Sequence, residues 1–416
     1  MKKMIILSLA ILLQIQNLAF ASMDVANSRQ PEFIPGHYIV TLKDSARNNA
    51  TQLAKNYGLS LGHVYAHALN GFSAVVPDNK LAALTADPSI RSIEQDMIVY
   101  ATAKPDKPGG KPGGGGSEPP SLQVLPTGID RANADSSLTA AIDGIDTELN
   151  VDIAIIDTGV DLRHPDLNVV NDVNFTSNKN GNDDHGHGTH VAGTVAARDN
   201  ELGVVGIAPG ARIWAVKVLD RRGQGFLSNV IAGIDYVTAH ASEIEVANMS
   251  LGGSGNDGSS SYHTAIINSV NAGVTYVVAA GNETDDAANH IPAAFDEVIT
   301  VSAIADSDGQ SGGLGSNTSY GADDSFASFS NYGADVDIAA PGVNIYSTWK
   351  GQSYNAISGT SMASPHVAGA AALYLVNNPA ASPAQVKTAL INAASVGSFT
   401  GDTDGFAEPL LNVGSL

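Results

Sequence analysis

The chain has 416 residues, of which 43% are hydrophobic, and it contains no cysteine. This composition excludes a wholly disordered chain, and the missing thiols exclude disulfides, thiolate metal sites and a cysteine nucleophile. The formal net charge is −21, and residues 121–416 alone carry 33 acidic and 10 basic side chains. Such an acidic surface repels nucleic acid phosphates and anionic lipids, so no nucleic-acid partner is expected.

The first 21 residues have the pattern of a secretory signal peptide. A basic start is followed by a short apolar run and by an Ala-x-Ala arrangement at Ala19 and Ala21. A membrane anchor is the alternative, but no stop-transfer pattern follows, and no other segment is long and apolar enough to span a bilayer. We therefore expect cleavage after Ala21, a secreted, extracellular protein, and no membrane contact once the signal is removed.

Three blocks are predicted after the signal. Residues 22–103 mix strand-like runs with one helical stretch, which predicts a small α+β domain. Residues 104–120 are rich in proline and glycine and predict an exposed linker without a core. Residues 121–416 form the main domain.

The main domain alternates strand-like and helical patterns. Its apolar runs, which look buried on both faces, are 151–157, 211–219, 244–250 and 273–280, and its helical patterns include 227–240 and 261–273. This alternation predicts an α/β fold with a doubly wound, mostly parallel sheet flanked by helices. In such sheets, functional sites form at the carboxyl ends of the strands.

Four polar residues stand at places where such a site would form. Asp157 ends an apolar run, His187 precedes a small-residue helical stretch, Asn282 follows another run, and Ser361 opens a further helix. A carboxylate, an imidazole and a hydroxyl can make an orienting acid, a general base and a nucleophile, and an amide can donate to an oxyanion. Each residue alone also has an ordinary explanation as a turn or helix-cap residue.

Taken together, the motifs "DTGV", "HGTHVAG", "AAGN" and "GTSMASPHVAG" closely resemble those of the subtilisin-like serine peptidases. The resemblance covers nearly all of residues 121–416 and implies the subtilisin-like fold and a serine endopeptidase. It implies that Ser361 is the nucleophile, His187 the general base and Asp157 the orienting acid. It also implies that the Asn282 amide and the Ser361 backbone N–H stabilise the oxyanion.

The resemblance further implies two segments that line the first substrate pocket. These residues are Ser250, Leu251, Gly252 and Gly253 in one segment, and Ala279, Ala280 and Gly281 in the other. Their small size predicts room for a large apolar side chain before the cut bond, and backbone pairing with the substrate predicts broad specificity. His290, where many relatives have glycine, is expected to narrow the pocket or to favour acidic residues.

Residues 197–211 resemble the calcium loop of the same family. The implied ligands are the side chains of Gln123, Asp166 and Asn200 and the backbone carbonyls of Arg198, Leu202 and Val204. Six oxygen ligands that include a carboxylate suit a structural Ca²⁺ ion. A solvated loop without an ion is the alternative.

Residues from about 35 to 102 resemble the inhibitory propeptide of the family, through "GHYIVTLKD", "NGFSAVVP" and "IEQDMIVY". This implies a self-processing zymogen whose propeptide assists folding and inhibits the enzyme, with a first cut near residue 102. The expected partners are protein and peptide substrates and the chain's own propeptide, and the mature enzyme is expected to be a monomer.

Other interpretations remain open at this point. The chain could be a catalytically silent binding protein on this fold, a metallohydrolase using the His/Asp cluster at 183–190, or a sedolisin-type peptidase, although that type lacks the "HGTH" histidine. Within the cluster, we expect His190 to pack in the interior and His185 to be exposed. The glycine-rich loop 308–325 predicts a mobile surface loop, with an additional cation site as the alternative.

Overall fold

The computed structural model describes residues 30–47, 49–103, 117, 122–256, 258 and 260–416. The predicted signal and, except for Ser117, the predicted linker before residue 121 lie outside these residues. The described residues from Pro31 to Leu416 pack as one unit. Within the described chain, no helix has both the length and the apolar character needed to cross a membrane.

The strands and helices carry labels in chain order. The strands are β1 (Phe33–Leu42), β2 (Ser60–Tyr65), β3 (Gly71–Val75), β4 (Ile90–Ala101), β5 (Asp152–Asp157), β6 (Val169–Asn174), β7 (Arg212–Lys217), β8 (Gln224–Phe226), β9 (Val246–Met249), β10 (Leu251–Ser254), β11 (Thr275–Ala279), β12 (His290–Ile291), β13 (Ile299–Ala305), β14 (Ser325–Phe326), β15 (Ile338–Pro341), β16 (Ile345–Trp349) and β17 (Ser353–Ile357). The helices are α1 (Ala50–Asn56), α2 (Asp78–Thr85), α3 (Thr127–Arg131), α4 (His187–Ala196), α5 (Leu227–Ala239), α6 (Ser261–Asn271), α7 (Thr360–Asn377) and α8 (Pro383–Ala393).

A central eight-stranded sheet organises the main domain. Its order is β14-β13-β11-β9-β5-β7-β6, with β15 also paired to β13, and only the β13–β14 pair is antiparallel. Strands β5, β9 and β11 are buried along their whole length, because apolar side chains cover both of their faces. The predicted doubly wound, mostly parallel sheet is confirmed.

Helices cover both faces of this sheet and create two cores. One core includes Val191 of α4 and Val367 of α7. The other includes Val230 of α5 and Ile266 of α6, together with residues of the N-terminal block such as Val99. The second core therefore spans the N-terminal block and the main domain.

The N-terminal block is a small antiparallel sheet with two short helices. Strands β2, β3, β1 and β4 lie side by side, and a separate small core includes Val40, Phe72 and Leu84. Strand β4 also pairs with β8 and β10 of the main domain. These pairings hold the carboxyl end of β4 between β8 and β10, next to the candidate site.

Two glycines set the starts of α4 and α7, the helices that carry His187 and Ser361. Gly186 has a φ of +114°, and a Cβ there would lie 2.4 Å from the Trp349 ring. Gly359 has a φ of +148°, and a Cβ there would lie 2.7 Å from the Thr102 carbonyl oxygen. Both positions need glycine for conformation and for space.

Candidate active site

Asp157 and His187 form a buried pair at the carboxyl edge of the central sheet. Asp157 is the last residue of β5, His187 is the first residue of α4, and both side chains have 0% exposure. His187 Nδ1 lies 2.8 Å from Oδ1 and 3.0 Å from Oδ2 of Asp157. A carboxylate in this position can orient the ring and stabilise its protonated form.

Ser361 and Asn282 are brought together through Thr360. Ser361 lies in the first turn of α7, and Asn282 follows β11 after Gly281. Asn282 Oδ1 accepts hydrogen bonds from the Thr360 backbone N–H at 2.9 Å and from the Thr360 hydroxyl at 3.0 Å. Because its oxygen is held by two donors, the Asn282 amide presents its NH₂ group in a defined direction.

The carboxyl end of β4 lies against these groups. Residues 98–100 pair antiparallel with β8, and residues 100–101 pair antiparallel with β10. Thr102 N donates to Ser250 O at 3.2 Å, and Asn282 Nδ2 donates to Thr102 O at 2.7 Å. A peptide carbonyl is therefore bound by an amide donor of the kind that stabilises oxyanions.

The Ser361 hydroxyl is hydrogen-bonded to groups other than His187. Ser361 Oγ donates to Ser250 O at 3.0 Å and lies 2.6 Å from Thr102 Oγ1. His187 Nε2 is buried and has no hydrogen-bond partner in the described part of the chain. The structure therefore shows Ser361 and His187 without a hydrogen bond between them, with the Ser361 hydroxyl bound to Ser250 and Thr102 instead.

The seven predicted pocket residues lie in two segments that lead to the bound end of β4. Leu251 and Gly252 pair with Ala101 and Tyr100 of β4, and Ser250 accepts the hydrogen bond from Thr102. The other segment, 279–281, ends β11 and continues to Asn282.

His290 lies on β12, the neighbour of β10. It is 9% exposed, its Nε2 is 3.1 Å from Asp285 Oδ2, and its Nδ1 is 3.6 Å from Glu283 Oε2. The His290 ring and the carboxylates of Glu283 and Asp285 therefore lie next to β10, the strand that pairs with the end of β4.

Sequence reasoning missed Thr360 and Asn331, which hold the Asn282 side chain and the turn around it. Asn331 Nδ2 donates to Ala280 O at 2.9 Å, and its Oδ1 accepts from Glu283 N at 2.8 Å. The position of Thr360 beside Ser361 offered a signal for its role. Asn331 offered none, because it is remote in sequence from the turn that it contacts.

The histidines of the 183–190 cluster do not converge on a common point. His187 contacts Asp157, whereas His190 Nε2 lies 2.8 Å from Ile345 O, and burial lowers the pKa of His190 to about 3. Asp183 is occupied by the chain itself, since its oxygens accept backbone N–H groups from residues 185, 186 and 189. The geometry gives no shared metal position for this cluster.

The expectation that His185 is exposed is wrong. The side chain is half-buried, and its ring centroid lies 6.2 Å from that of His187. The reason is the tight turn at Gly186, in which His187 N donates to His185 Nδ1 at 3.3 Å. Burial, and secondly the neighbouring His187, lower the pKa of His185 from its ordinary value.

The predicted calcium ligands lie close together after α4. Gln123 Nε2 donates to Arg198 O at 2.9 Å and to Val204 O at 3.3 Å, and Gln123 Oε1 accepts from Glu201 N at 3.2 Å, so the amide turns its NH₂ group and not its oxygen toward these two carbonyls. Asp166 Oδ2 accepts the hydrogen bond of Val204 N, while its Oδ1 is buried without a partner among the described residues. Burial raises the pKa of Asp166 to about 7. An unpartnered carboxylate oxygen beside convergent carbonyls fits a Ca²⁺ ion.

The other two predicted ligands lie on the same loop. Asn200 Oδ1 accepts from Leu202 N at 3.0 Å, so the Asn200 side chain folds over the loop backbone.

A second acidic group lies at the predicted 308–325 loop. Oxygen atoms of Asp306, Asp308 and Asp323 lie within 4.8 Å of one another, close enough to hold a metal ion. Asp324, next in the chain, accepts N–H groups of Gly312 and Gly313 through Oδ2. Carboxylates at the end of the 308–325 loop therefore hold its glycine-rich part in place through backbone hydrogen bonds.

Comparisons with known proteins give the family. Residues 149–412 match the subtilase family. The chain belongs to the subtilase family. Residues 37–102 match the peptidase inhibitor I9 family, so this subtilase carries an N-terminal propeptide-type inhibitor domain, whose match ends at the residue bound by Asn282.

Similar proteins agree with this assignment. Subtilisin DY of Bacillus licheniformis is 39% identical over 295 residues, which cover 70% of this chain and 98% of the relative. The extracellular serine proteinase of Thermus sp. (strain Rt41A) is 37% identical over 398 residues, 88% of this chain and 86% of the relative. The solved structure of a cold-adapted subtilisin-like serine proteinase matches with a TM-score of 0.57 and 37% identity, over 69% of this chain and 97% of its own. The predicted fold class and serine endopeptidase activity of this subtilase are thus confirmed.

Proposed function

We propose that Ser361, His187 and Asp157 are the catalytic triad of this subtilase. Ser361 Oγ attacks the peptide carbonyl carbon after rotating toward His187, whose Nε2 takes the hydroxyl proton. Asp157 holds the ring at Nδ1 and stabilises its positive charge. The observation that carries the proposal is the Thr102 carbonyl, which accepts a hydrogen bond from Asn282 at 2.7 Å while Ser361 Oγ lies 2.6 Å from the Thr102 hydroxyl.

The Asn282 amide and the Ser361 backbone N–H then stabilise the oxyanion of the tetrahedral intermediate. When the intermediate collapses, the C–N bond breaks and His187 gives its proton to the leaving nitrogen. An acyl group remains on Ser361. Water attacks this ester with His187 as the base, and the carboxylic acid product leaves.

Two alternatives from other classes are less well supported. A catalytically silent binding protein is expected to lack one of the four groups, yet Asp157, His187, Asn282 and Ser361 are all present. A metallohydrolase at 183–190 needs convergent ligands, and these side chains bond to other partners.

We infer that the first self-cleavage occurs between Thr102 and Ala103. The backbone N–H and carbonyl of Thr102 are both hydrogen-bonded in the cleft, and a Cβ on Gly359 would lie 3.2 Å from Ala103 Cα. This bond therefore lies beside α7, which carries the nucleophile. Cleavage at this bond would end the inhibitor domain at residue 102, one residue before the end of the predicted 22–103 domain. The linker and a peptidase domain over 121–416 would follow.

For other substrates, we propose broad endopeptidase specificity with a preference for large apolar residues before the cut. Gly252, Gly253 and Gly281 offer backbone without side chains along the cleft, and pairing to β10 does not depend on the substrate's side chains. His290 and its two carboxylate neighbours are the proposed modifiers of this preference.

The loop after α4 is the proposed site of a structural Ca²⁺ ion. Asp166 and Asn200 would supply side-chain oxygens, as would Gln123 once its amide is turned so that Oε1 replaces Nε2 beside the Arg198 and Val204 carbonyls. Arg198, Leu202 and Val204 would supply backbone carbonyls. The ion would supply charge that balances the buried Asp166 carboxylate and would fasten the segment after residue 121 to this loop.

We further propose that the enzyme is secreted as a zymogen and acts outside the cell as a monomer. Its partners are then protein and peptide substrates and its own propeptide.

The test compares the wild-type precursor with Ser361→Ala. The variant is expected to accumulate as an intact, inactive precursor that a fluorophosphonate does not label, because the nucleophile is missing. Mass spectrometry of the wild type should find an N-terminal fragment ending at Thr102. Ser364→Ala, one turn further along α7, is the control and should still be processed. A processed, active Ser361→Ala protein would refute the mechanism, and a first fragment with another end would refute the cleavage position.

A further inference from the structure

The ring of His185 lies close to the bound end of β4. Ala101 N donates to Gly223 O at 2.9 Å, so Gly223 is a cleft residue opposite Ala101. A Cβ built on Gly223 would lie 3.4 Å from Ala101 Cβ and 3.4 Å from His185 Nε2. The Ala101 Cβ and the imidazole nitrogen are therefore separated by no more than twice that distance. The side chain at position 101 and the His185 ring face one space beside Gly223.

Gly223 keeps this space open. Its φ is +70°, a left-handed conformation that favours glycine, and its N–H donates to Asp220 O at 2.9 Å to close a tight turn. Because residue 223 has no side chain, it does not fill the gap between position 101 and the ring. A side chain longer than alanine at position 101 can extend into the gap.

His185 presents a hydrogen-bond donor to this space. His187 N donates to His185 Nδ1 at 3.3 Å, so Nδ1 is an acceptor and the proton of the neutral ring is on Nε2. In the described part of the chain, no residue accepts a hydrogen bond from Nε2. The half-buried ring therefore offers one unused N–H, and an ionised acceptor makes the strongest bond with such a donor.

Positive charge is concentrated around the same space. Arg221 and Arg222, which are exposed, directly precede Gly223, and Lys350 Nζ donates to the carbonyl of Asp184, the residue before His185. These are three of the ten basic side chains of residues 121–416, in a domain with 33 acidic ones. A negative side chain bound here would meet a local field opposite to that of the domain as a whole.

The carboxylates nearest the ring already have partners. Asp183 Oδ1 accepts two backbone N–H groups, from residues 185 and 186. Asp184 Oδ1 lies 2.8 Å from Lys217 Nζ, and Asp220 Oδ2 lies 3.1 Å from an Arg222 nitrogen. The Nε2–H of the ring is thus left for a group that the chain itself does not supply.

We propose that His185 selects substrates with glutamate as the second residue before the cut bond. This inference rests on the proposed cleavage after Thr102, which makes position 101 the second residue before the cut. A glutamate carries its carboxylate one methylene further than an aspartate, so it covers more of the gap to Nε2. The inhibitor domain has alanine at this position and leaves the contact unused, as suits a segment that is later released.

The experiment compares the mature wild-type enzyme with His185→Ala, His185→Gln and His240→Ala. Four peptides differ only in the second residue before the cut, which is glutamate, glutamine, alanine or lysine. In the wild type, kcat/KM for the glutamate peptide should exceed that for the glutamine peptide by about fivefold to twentyfold, because the donor binds a charged acceptor. Glutamate and glutamine have the same shape, so this ratio isolates the charge.

The variants show whether the ring is responsible. His185→Ala should lower the glutamate-to-glutamine ratio by about threefold or more, and His185→Gln, whose amide keeps an N–H donor, should give an intermediate ratio. His240→Ala, at the carboxyl end of α5, is the control and should keep the wild-type ratio. Added salt should reduce the wild-type preference, because it screens the half-exposed charges.

The outcomes separate this preference from the proposed catalytic mechanism. Equal cleavage of the glutamate and glutamine peptides by the wild type would overturn the inference and leave the triad untouched. The inference also fails if His185→Ala slows all four peptides by one common factor, because the ring would then act on His187 alone. If no peptide is cleaved and a fluorophosphonate does not label Ser361, the proposed function itself is wrong, and the preference falls with it.

Discussion

At the scale of single residues, the proposed oxyanion donor Asn282 already contacts a peptide carbonyl, whereas the proposed nucleophile Ser361 has no hydrogen bond to His187. Asn282 is held by Thr360 on its oxygen and already donates to the Thr102 carbonyl. Ser361 instead contacts Ser250 and Thr102 and must exchange these contacts for His187. Under the proposed mechanism, the fold therefore sets the oxyanion donor in place, whereas activation of the serine requires a new hydrogen bond to His187.

The first prediction concerns Asn282→Ala. Removing one of two oxyanion donors should lower kcat and the rate of precursor self-cleavage by roughly a hundredfold to a thousandfold, about 3–4 kcal/mol, with little change in KM. Steady-state kinetics on a peptide amide and single-turnover cleavage of the precursor measure the two rates. Asn289→Ala, in the same region but outside the proposed site, serves as the control. A loss below about tenfold would show that Asn282 is not an oxyanion donor.

At the scale of elements, β4 joins the inhibitor domain to the enzyme in two ways. Its carboxyl end fills the cleft, and its acidic residues bind helix starts of the main domain. Glu94 accepts from the N–H and hydroxyl of Ser261 at the start of α6, and Asp96 accepts from those of Ser228 in the first turn of α5. Carboxylates at these positions satisfy free N–H groups and interact favourably with the helix dipole.

A second prediction follows for Glu94→Gln in the separate inhibitor domain. Loss of the charge at α6 should weaken inhibition of the mature enzyme by about fivefold to thirtyfold, about 1–2 kcal/mol. The inhibition constant is measured with added propeptide, so the enzyme is the same protein in every assay. Asp44→Asn, whose parent side chain is 78% exposed and pairs with Arg91, should inhibit like the wild type. Equal inhibition by Glu94→Gln would mean that the helix contact adds no affinity.

At the scale of the whole molecule, the inhibitor domain and the enzyme share one core and one sheet. Val99 packs with α5 and α6, and β4 is a strand of both parts. The Thr102–Ala103 bond and the proposed nucleophile Ser361 thus lie next to each other within one folded molecule. An intermolecular encounter is not needed.

We therefore expect first cleavage to be unimolecular. The first-order rate constant for loss of the precursor should stay constant over a hundredfold dilution, because Thr102 and Ser361 already lie side by side in the same chain, with their hydroxyl oxygens 2.6 Å apart. Gel or mass-spectrometric time courses at several concentrations measure it. Active enzyme added to the Ser361→Ala precursor should cut it at a rate that depends on concentration. A wild-type rate that falls on dilution would instead indicate cleavage between molecules.

The sequence by itself determined the features that depend on local pattern. Apolar runs such as 151–157 predicted buried parallel strands, because strands covered on both faces must be apolar throughout. The motifs around Asp157, His187 and Ser361 pointed to the family, since each contains the glycines and small residues that its turn or helix start needs.

Only the tertiary structure decided how distant segments meet. It brought Thr102 to Asn282, Asn331 to the turn before Asn282, and His185 beside His187. It also buried Glu408, which is 4% exposed although glutamate is ordinarily a surface residue. These features could not be predicted because burial and hydrogen bonding depend on what the rest of the chain packs against each side chain. A local sequence pattern does not contain that information.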